Sequence, residues 1–284
     1  LQIKIKKKVL HDIKQISKKK IFKGLELANL PILMGVLNLT PDSFSDGGKY
    51  IKKNLGELHA QKLIKDGSDI LDIGGEATNP GSKEINLEEE WKRIFPTLSK
   101  LKKIKKFISL DTRKSEIMER GIKNRVNLIN DISGLEHDLN TINILLKTKI
   151  PFVIHHIQGN PKTMQDNPKY KNVVLDIYDF FEKKIKYIRS KGIGHNNIIL
   201  DPGIGFGKNL KQNITLINNI SIFHSLGFPV MLGTSRKRFI KDLSGANDSK
   251  ERLGGTISSS LYAIMQGIQI LRIHDVNEIK QSIK

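Results

Sequence analysis

The sequence predicts an α/β protein: a single (β/α)8 barrel of the TIM type with a short N-terminal extension or hairpin. Three observations carry this reading. Eight short apolar runs recur along the chain, segments of helical period lie between most of them, and each run ends abruptly in polar residues. Parallel strands covered on both faces read as continuous apolar runs. Eight of them alternating with helices over about 250 residues is the size of a closed barrel. An open doubly wound sheet is the alternative, but it usually carries a glycine fingerprint after its first strand. Gly35 stands alone there.

In order, the expected strands are 32–37, 70–73, 107–110, 126–129, 152–154, 198–200, 230–232 and 268–273. Leu55, Leu58 and Leu63 mark the first helical face, and Val173, Ile177, Phe181, Ile185 and Ile188 the longest. Ile214, Ile217 and Ile220 to Ile222 mark another, and Leu261, Ile264 and Met265 the last. Gly67, Gly121 and Gly192 sit where helix ends prefer glycine, and Pro96 interrupts a helix and is expected to kink it. No linker composition divides the chain, so residues 22–284 read as one domain and residues 1–21 as a basic extension.

Composition narrows the function classes. The 284 residues contain no cysteine, which excludes a disulfide scaffold and thiolate chemistry and suits a reducing, cytoplasmic location. The formal charge is +19, which raises a nucleic-acid partner or an anionic substrate. Only 9 of the 48 basic residues are arginine and aromatics are 6%, a poor match to nucleic-acid surfaces, so no nucleic-acid partner is expected. The longest charge-free run, 253–271, is too rich in serine, glutamine and glycine to span a bilayer and reads as a helix followed by a strand. No signal peptide is visible, and no membrane partner is expected.

Catalytic residues of a barrel lie at the C-terminal ends of its strands. Two themes emerge there. Asp111, Asn130 and Asp201 lie at buried depth, where carboxylates need donors. A flat heterocycle with amino and ring N–H groups supplies donors in one plane. Lys237, Arg272 and His274 form a cationic rim with Asn38 and Thr78 opposite. That rim suits a phosphate or diphosphate bridged by a hard cation. Competing readings exist. A strand-end Asp is often a helix cap, and His155-His156 lacks a third ligand at metal spacing and reads as core histidine. The run DPGIGFGKN at 201–209 matches neither phosphate-loop pattern, and its glycines read as letting a loop pass close to a ligand.

At these residues the chain resembles the dihydropteroate synthase family. The motifs are GVLNLTPDSFSDGG at 35–48, DIGGEATNPGS at 72–82, SLDTRK at 109–114, INDISG at 129–134, HHIQGNPKTMQ at 155–165, LDPGIGFGKN at 200–209, GTSRKRF at 233–239 and RIHDV at 272–276. The resemblance implies transfer of a pterin from 6-hydroxymethyl-7,8-dihydropterin diphosphate to 4-aminobenzoate. By the same resemblance Asp111, Asn130, Asp201 and Lys237 hold the pterin, and Asn38, Thr78, Arg272 and His274 the diphosphate. It further implies Mg2+ between Asn38 and the phosphate oxygens, 4-aminobenzoate near Pro80, Phe206, Ser235 and Lys237, and a loop from Thr40 to Gly48 that shields the reaction. The resemblance implies that Asp111, Lys237 and Asn38 form the catalytic group and that the protein is a homodimer. A pterin-dependent methyltransferase relative and a non-catalytic pterin-binding paralogue are the alternatives. The first-loop motif and Ser235-Arg236-Lys237 argue against the methyltransferase.

Two departures stand out. The family's second-strand motif usually reads GGESTRPG, where this chain has Ala77 and Asn79; His155 stands where a methionine commonly flanks the pterin. Asn79 replaces the motif's arginine, and losing its guanidinium removes a charge-assisted contact near the 4-aminobenzoate. Asn79→Arg is therefore expected to tighten 4-aminobenzoate, read as a lower KM in steady-state kinetics. An unchanged or higher KM removes the argument.

Overall fold

Eight parallel strands run in one sheet that curls toward closure. The computed structural model describes residues 20–22, 25–26, 31–40 and 55–284. The strands are β1 (Ile32–Asn38), β2 (Ile70–Gly74), β3 (Phe107–Asp111), β4 (Leu128–Asp131), β5 (Phe152–His155), β6 (Ile198–Asp201), β7 (Met231–Leu232) and β8 (Ile270–Ile273). Their spatial order is β6-β5-β4-β3-β2-β1-β8-β7. The seam between β6 and β7 is met by a parallel bridge, Leu200 to Val230, with Leu200 N–H donating to Pro229 O at 2.9 Å. Ahead of the barrel, Lys20–Phe22 and Leu25–Glu26 pair as an antiparallel hairpin that crosses the expected boundary at 21/22. The extension over 1–19 and the first loop from 41 to 48 lie outside the described residues.

The helices are α1 (Leu55–Asp66), α2 (Leu87–Leu101), α3 (Ser115–Lys123), α4 (Thr141–Thr148), α5 (Val173–Ser190), α6 (Leu210–Asn218), α7 (Arg238–Ser244), α8 (Leu253–Met265) and α9 (Val276–Ser282). Among the described residues none is long and apolar enough to cross a membrane. Local chemistry explains several boundaries. Asn86 caps α2 by accepting from Glu89 N–H, and Asn209 with Gln212 forms a capping box on α6. Gly67 and Gly192 follow α1 and α5 in the left-handed region, as expected.

Alternation along the strands divides the core in two. One buried cluster takes Ile32 and Met34, Ile70, Leu128, Val153, Ile199, Met231 and Ile270, with Phe107 against it. All eight strands contribute, so this is the apolar plug inside the barrel. The intervening residues, such as Leu33, Leu71, Leu110, Ile129 and Phe152, join the helices in the outer core. Side chains two further along each strand share the plug's face. That parity places Asp72, Ser109 and Asp111, Asn130, His155, Asp201 and Arg272 in the polar layers above it.

Several expectations shift. The fourth strand is Leu128–Asp131 rather than 126–129, because Val126 N–H is tied back to Gly121 O in a turn. The eighth begins at Ile270, not 268. Gly121 lies inside α3, where a Cβ would meet Leu110 Cδ2 at 2.5 Å, so it allows helix–strand contact rather than ending the helix. Helix α2 continues through Pro96 to Leu101. Leu58 and Met265 are exposed, and α1 instead buries Gly56, Ala60 and Leu63. Ile220 to Ile222 belong to a 3-10 turn, Ile220–Leu226.

One buried hydroxyl joins β1 to β2. Ser68 Oγ accepts Gly35 N–H at 3.0 Å and donates to Ile70 O at 2.6 Å, fully buried. Removing it loses both of these hydrogen bonds, which costs about 1–3 kcal/mol in all. Ser68→Ala is expected to lower the unfolding free energy in urea by about that amount; an unchanged midpoint contradicts this role.

Candidate active site

The polar layers meet around a buried guanidinium. Arg272 Nε donates to Asp72 Oδ2 at 2.6 Å, and Nη2 to Asp111 Oδ2 at 2.8 Å. Asn130 Nδ2 donates to the same Asp72 oxygen at 3.2 Å. Burial opposes the Arg272 charge, but Asp72 and Asp111 more than offset it and the pKa rises. Arg272, expected on the rim, is therefore anchored inside the barrel by two carboxylates. Asp72, absent from the expected site set, is the second half of that anchor.

Above this cluster a cavity is lined by Asn130, His155, Asp201, Phe206, Lys237 and Arg272, with Ile132, Ile204 and Gly233. Burial raises the Asp111 carboxyl to about 7, against the opposing Arg272 charge and with help from Asp72. Burial likewise raises Asp201 to about 6, although Gly203 N–H donates to its Oδ1 at 2.8 Å. Lys237 is lowered to about 8 by burial and Arg272, opposed by Asp201 and Asp111. Its ammonium lies 4.1 Å from the centroid of the Phe206 ring. Perturbed acids and a perturbed amine gathered in and beside one cleft make it the candidate reaction site. Among the described residues, Asp111 Oδ1, Asn130 Oδ1 and His155 Nδ1 are buried with no hydrogen-bond partner. Two acceptor oxygens and a ring nitrogen left this way call for a ligand rich in N–H groups.

His274 departs from the expected cationic rim. Burial and the neighbouring Arg272 and Arg236 charges push it down to about 3, so it is neutral at pH 7. Its Nδ1 lies 3.0 Å from Ser235 Oγ, which also accepts His274 N–H at 3.1 Å. Ser235 is thus buried and engaged with His274. Its neighbour Arg236 (φ 58°) turns away and pairs with Asp275. Phe206 lies in the cavity, edge-on to His155 with centroids 4.5 Å apart. Thr78 and Pro80 lie in the loop after β2, half-buried and exposed respectively.

Asn38 closes β1 opposite Gly74, which is itself registered with Asp111. A Cβ on Gly74 would lie 3.7 Å from Asn38 Oδ1 and 3.5 Å from Asp111 Cβ, so the amide oxygen and that carboxylate flank one gap at the mouth. No group of three or more His, Asp or Glu residues suited to a metal occurs among the described residues. One hard amide oxygen beside an anionic ligand fits Mg2+, which takes few protein ligands and completes its shell with phosphate and water.

The loops are organised by buried polar groups that the motifs alone do not reveal. Lys208, 2% exposed, donates to Gly203 O at 2.9 Å and Phe206 O at 2.8 Å and meets His156 Nδ1 at 3.0 Å. It folds the loop after β6 and so places Phe206. Gly203 (φ 74°) packs so close to His156 that a Cβ would lie 1.9 Å from His156 O. At this position glycine serves the packing of two loops rather than approach to a ligand. His156 is a satisfied core histidine, and burial keeps it well below the usual range. His155 is held neutral by burial and then by Lys208, Lys237 and Arg272.

Comparison with known proteins agrees with this geometry. Residues 34–274 match the family model described as pterin binding enzyme. Dihydropteroate synthase of Escherichia coli K12 is 39% identical over 262 residues, covering 92% of each chain. The crystal structure of Yersinia pestis dihydropteroate synthase, in a sulfonamide drug complex, superposes with a TM-score of 0.86 at 37% identity, covering 92% of this chain and 95% of that one. The Xanthomonas albilineans enzyme, in complex with 7,8-dihydropteroate, superposes at 0.82 with 32% identity, covering 91% and 93%. With its barrel, its inward carboxylates and amide, and a match over most of its length, this chain belongs to the pterin-binding enzyme family.

Proposed function

We propose that the protein catalyses the dihydropteroate synthase reaction of folate biosynthesis. It condenses 6-hydroxymethyl-7,8-dihydropterin diphosphate with 4-aminobenzoate, giving 7,8-dihydropteroate and diphosphate. The observation that carries this is the single cavity joining the acceptor edge of Asn130 and Asp201 to the cations Lys237 and Arg272. Its acceptors match the donors of a flat N–H-rich ring, and its cations match an anionic leaving group beside it.

The pterin lies against Asp111, Asn130, Asp201 and Lys237, its amino and ring N–H groups donating to the buried oxygens. The diphosphate extends past Asn38 and Thr78 toward Arg272 and His274. Ser235 Oγ accepts the His274 backbone N–H and, in the tautomer this reading uses, donates its own proton to Nδ1. The imidazole proton then resides on Nε2, which can donate to a phosphate oxygen without carrying charge. The C–O bond at the pterin methylene breaks and diphosphate takes the electron pair. Positive potential from Lys237 and Arg272 favours this, while the Asp111 carboxylate stabilises the cation left on the pterin. The amine of 4-aminobenzoate, held near Pro80, Phe206, Ser235 and Lys237, forms the new C–N bond and passes its surplus proton to solvent. Mg2+, held by Asn38 and phosphate oxygens, would supply further charge neutralisation on the leaving group.

A cytoplasmic homodimer completes the reading. Its support is an exposed apolar set on adjoining helices: Leu243 on α7, and Tyr262 and Met265 on α8. Light scattering after size exclusion is expected to give a dimer for the native chain and a monomer for Met265→Glu with Tyr262→Glu. A native monomer, or a double variant that stays dimeric, excludes this face.

The reaction itself is tested by diphosphate release from the two substrates with Mg2+. Release that requires 4-aminobenzoate is expected; pterin binding without release favours the non-catalytic paralogue. The free-enzyme groups set the pH dependence of kcat/KM. Asp111 and Asp201, raised to about 7 and 6, lose their charge as pH falls through those values, and Lys237, lowered to about 8, loses its charge as pH rises. The profile is expected to be a bell, highest between pH 7 and 8. Because the groups are coupled, its limbs report the cluster rather than single residues. A flat profile from pH 6 to 9 contradicts these assignments.

A further inference from the structure

Arg113 follows β3 by two residues and is buried, yet its side chain is directed to the loop after β2 rather than to the cavity. Its Nη2 pairs with Glu76 Oε1, and the same nitrogen lies 4.0 Å from Glu84 Oε2. Glu76 and Glu84 are the two feet of one loop segment. Between them lie Ala77 to Lys83, including Thr78 and Pro80.

Each foot has further anchors. Glu76 also receives Lys114 Nζ, which reaches Glu90 Oε2 at 2.6 Å; Glu90 accepts Thr112 Oγ1 at 2.6 Å and is fully buried. Glu84 lies 3.2 Å from His137 Nε2 in the loop after β4. The crest is tied separately, through Gly81 N–H to Pro161 O at 2.9 Å. Among these contacts only Arg113 reaches both feet, by a hydrogen bond to Glu76 and a longer ion pair to the half-exposed Glu84. Lys114 bonds to Glu76 and Glu90 but makes no contact with Glu84 among the described residues. Arg113 makes both contacts through one guanidinium nitrogen, as the Lys114 ammonium serves Glu76 and Glu90.

We propose that Arg113 is a positioning residue for the reaction: it pins both feet of the loop segment 76–84 together and so presets Thr78 and Pro80 at the mouth of the site. Pinning the ends of a short segment removes most of the conformations it could sample. The entropy of ordering Thr78 is then met during folding rather than at substrate binding. The role rests on the proposed reaction, because Thr78 is placed by that reading against the diphosphate.

The test uses the full chain with Arg113→Met, Arg113→Lys and the milder, exposed-site variant Glu84→Gln. Arg113→Met is expected to lower kcat/KM for 4-aminobenzoate about tenfold or more, the scale of a modest misplacement of a substrate-facing group. Glu84→Gln is expected to act in the same direction with a smaller loss, and Arg113→Lys to recover part of it. Affinity for 6-hydroxymethylpterin, which lacks the diphosphate and lies deeper, is expected to stay within about twofold, since distant sites act independently. Hydrogen exchange of the amides at 77–83 is expected to quicken about tenfold or more as local opening becomes easier. In a Thr78→Ala background the kinetic loss from Arg113→Met is expected to shrink to less than about threefold, because the two act through one contact.

Unchanged exchange at 77–83 overturns the proposal, as does a kinetic loss that multiplies in full with Thr78→Ala. A parallel loss of 6-hydroxymethylpterin affinity in every variant assigns Arg113 to general stability instead. A native chain that releases no diphosphate defeats the proposed reaction, and the exchange measurement still decides whether Arg113 pins the loop.

Discussion

The guanidinium of Arg272, held inside the barrel between Asp72 and Asp111, is the interaction on which the site depends. It joins the last strand to the second and third and sits directly above the apolar plug. Burying such a group is costly, and it is tolerated only when its partners are in place. Taking away one partner strands a charge in low dielectric, so the three residues stand or fall together. The same cluster tunes its neighbours. Arg272 restrains the rise of Asp111 and lowers Lys237, and its charge helps keep His155 and His274 neutral.

That arrangement produces a gradient of chemistry along the barrel axis. Apolar residues from all eight strands fill the floor. One residue pair higher, carboxylate, amide and guanidinium occupy the same inward parity. Higher still, Lys237 lies on the face of the Phe206 ring in the cavity wall, and Asn38 marks the mouth. A ligand entering this cavity meets acceptors first at depth and cations beside them. An N–H-rich ring carrying an anionic group matches both at once.

The loops above combine a small apolar cluster of Ile132, Met164 and Phe206 with ion pairs and hydrogen bonds. Lys208 curls the sixth loop around two of its own carbonyls, and the Glu76–Lys114–Glu90 chain fixes the base of the second. Such networks are strict about geometry, since each buried member must find its partner. They suit segments that must hold a substrate-facing residue still while carrying little apolar surface of their own.

How far the sequence reaches can be judged residue by residue. Apolar runs and helical periodicity determined the (β/α)8 barrel, because burial repeats with a local period that any single strand or helix expresses by itself. The strand-end rule then singled out Asp111, Asn130, Asp201, Lys237 and Arg272, four of which line the cavity while Asp111 bonds to Arg272. Asp72 was legible in principle, being two residues past the plug residue Ile70, but parity alone does not say which inward polar residue is paired. Leu58 and Met265 misled because a short helix offers more than one plausible apolar stripe. The tertiary structure alone decided that Arg272 sits inside the barrel, that His274 is neutral, that Lys208 shapes its own loop, and that Arg113 serves the neighbouring loop. Each of these depends on groups distant in sequence brought within a few ångströms, and on the low dielectric their burial creates. Neither has any signature in a residue's local pattern.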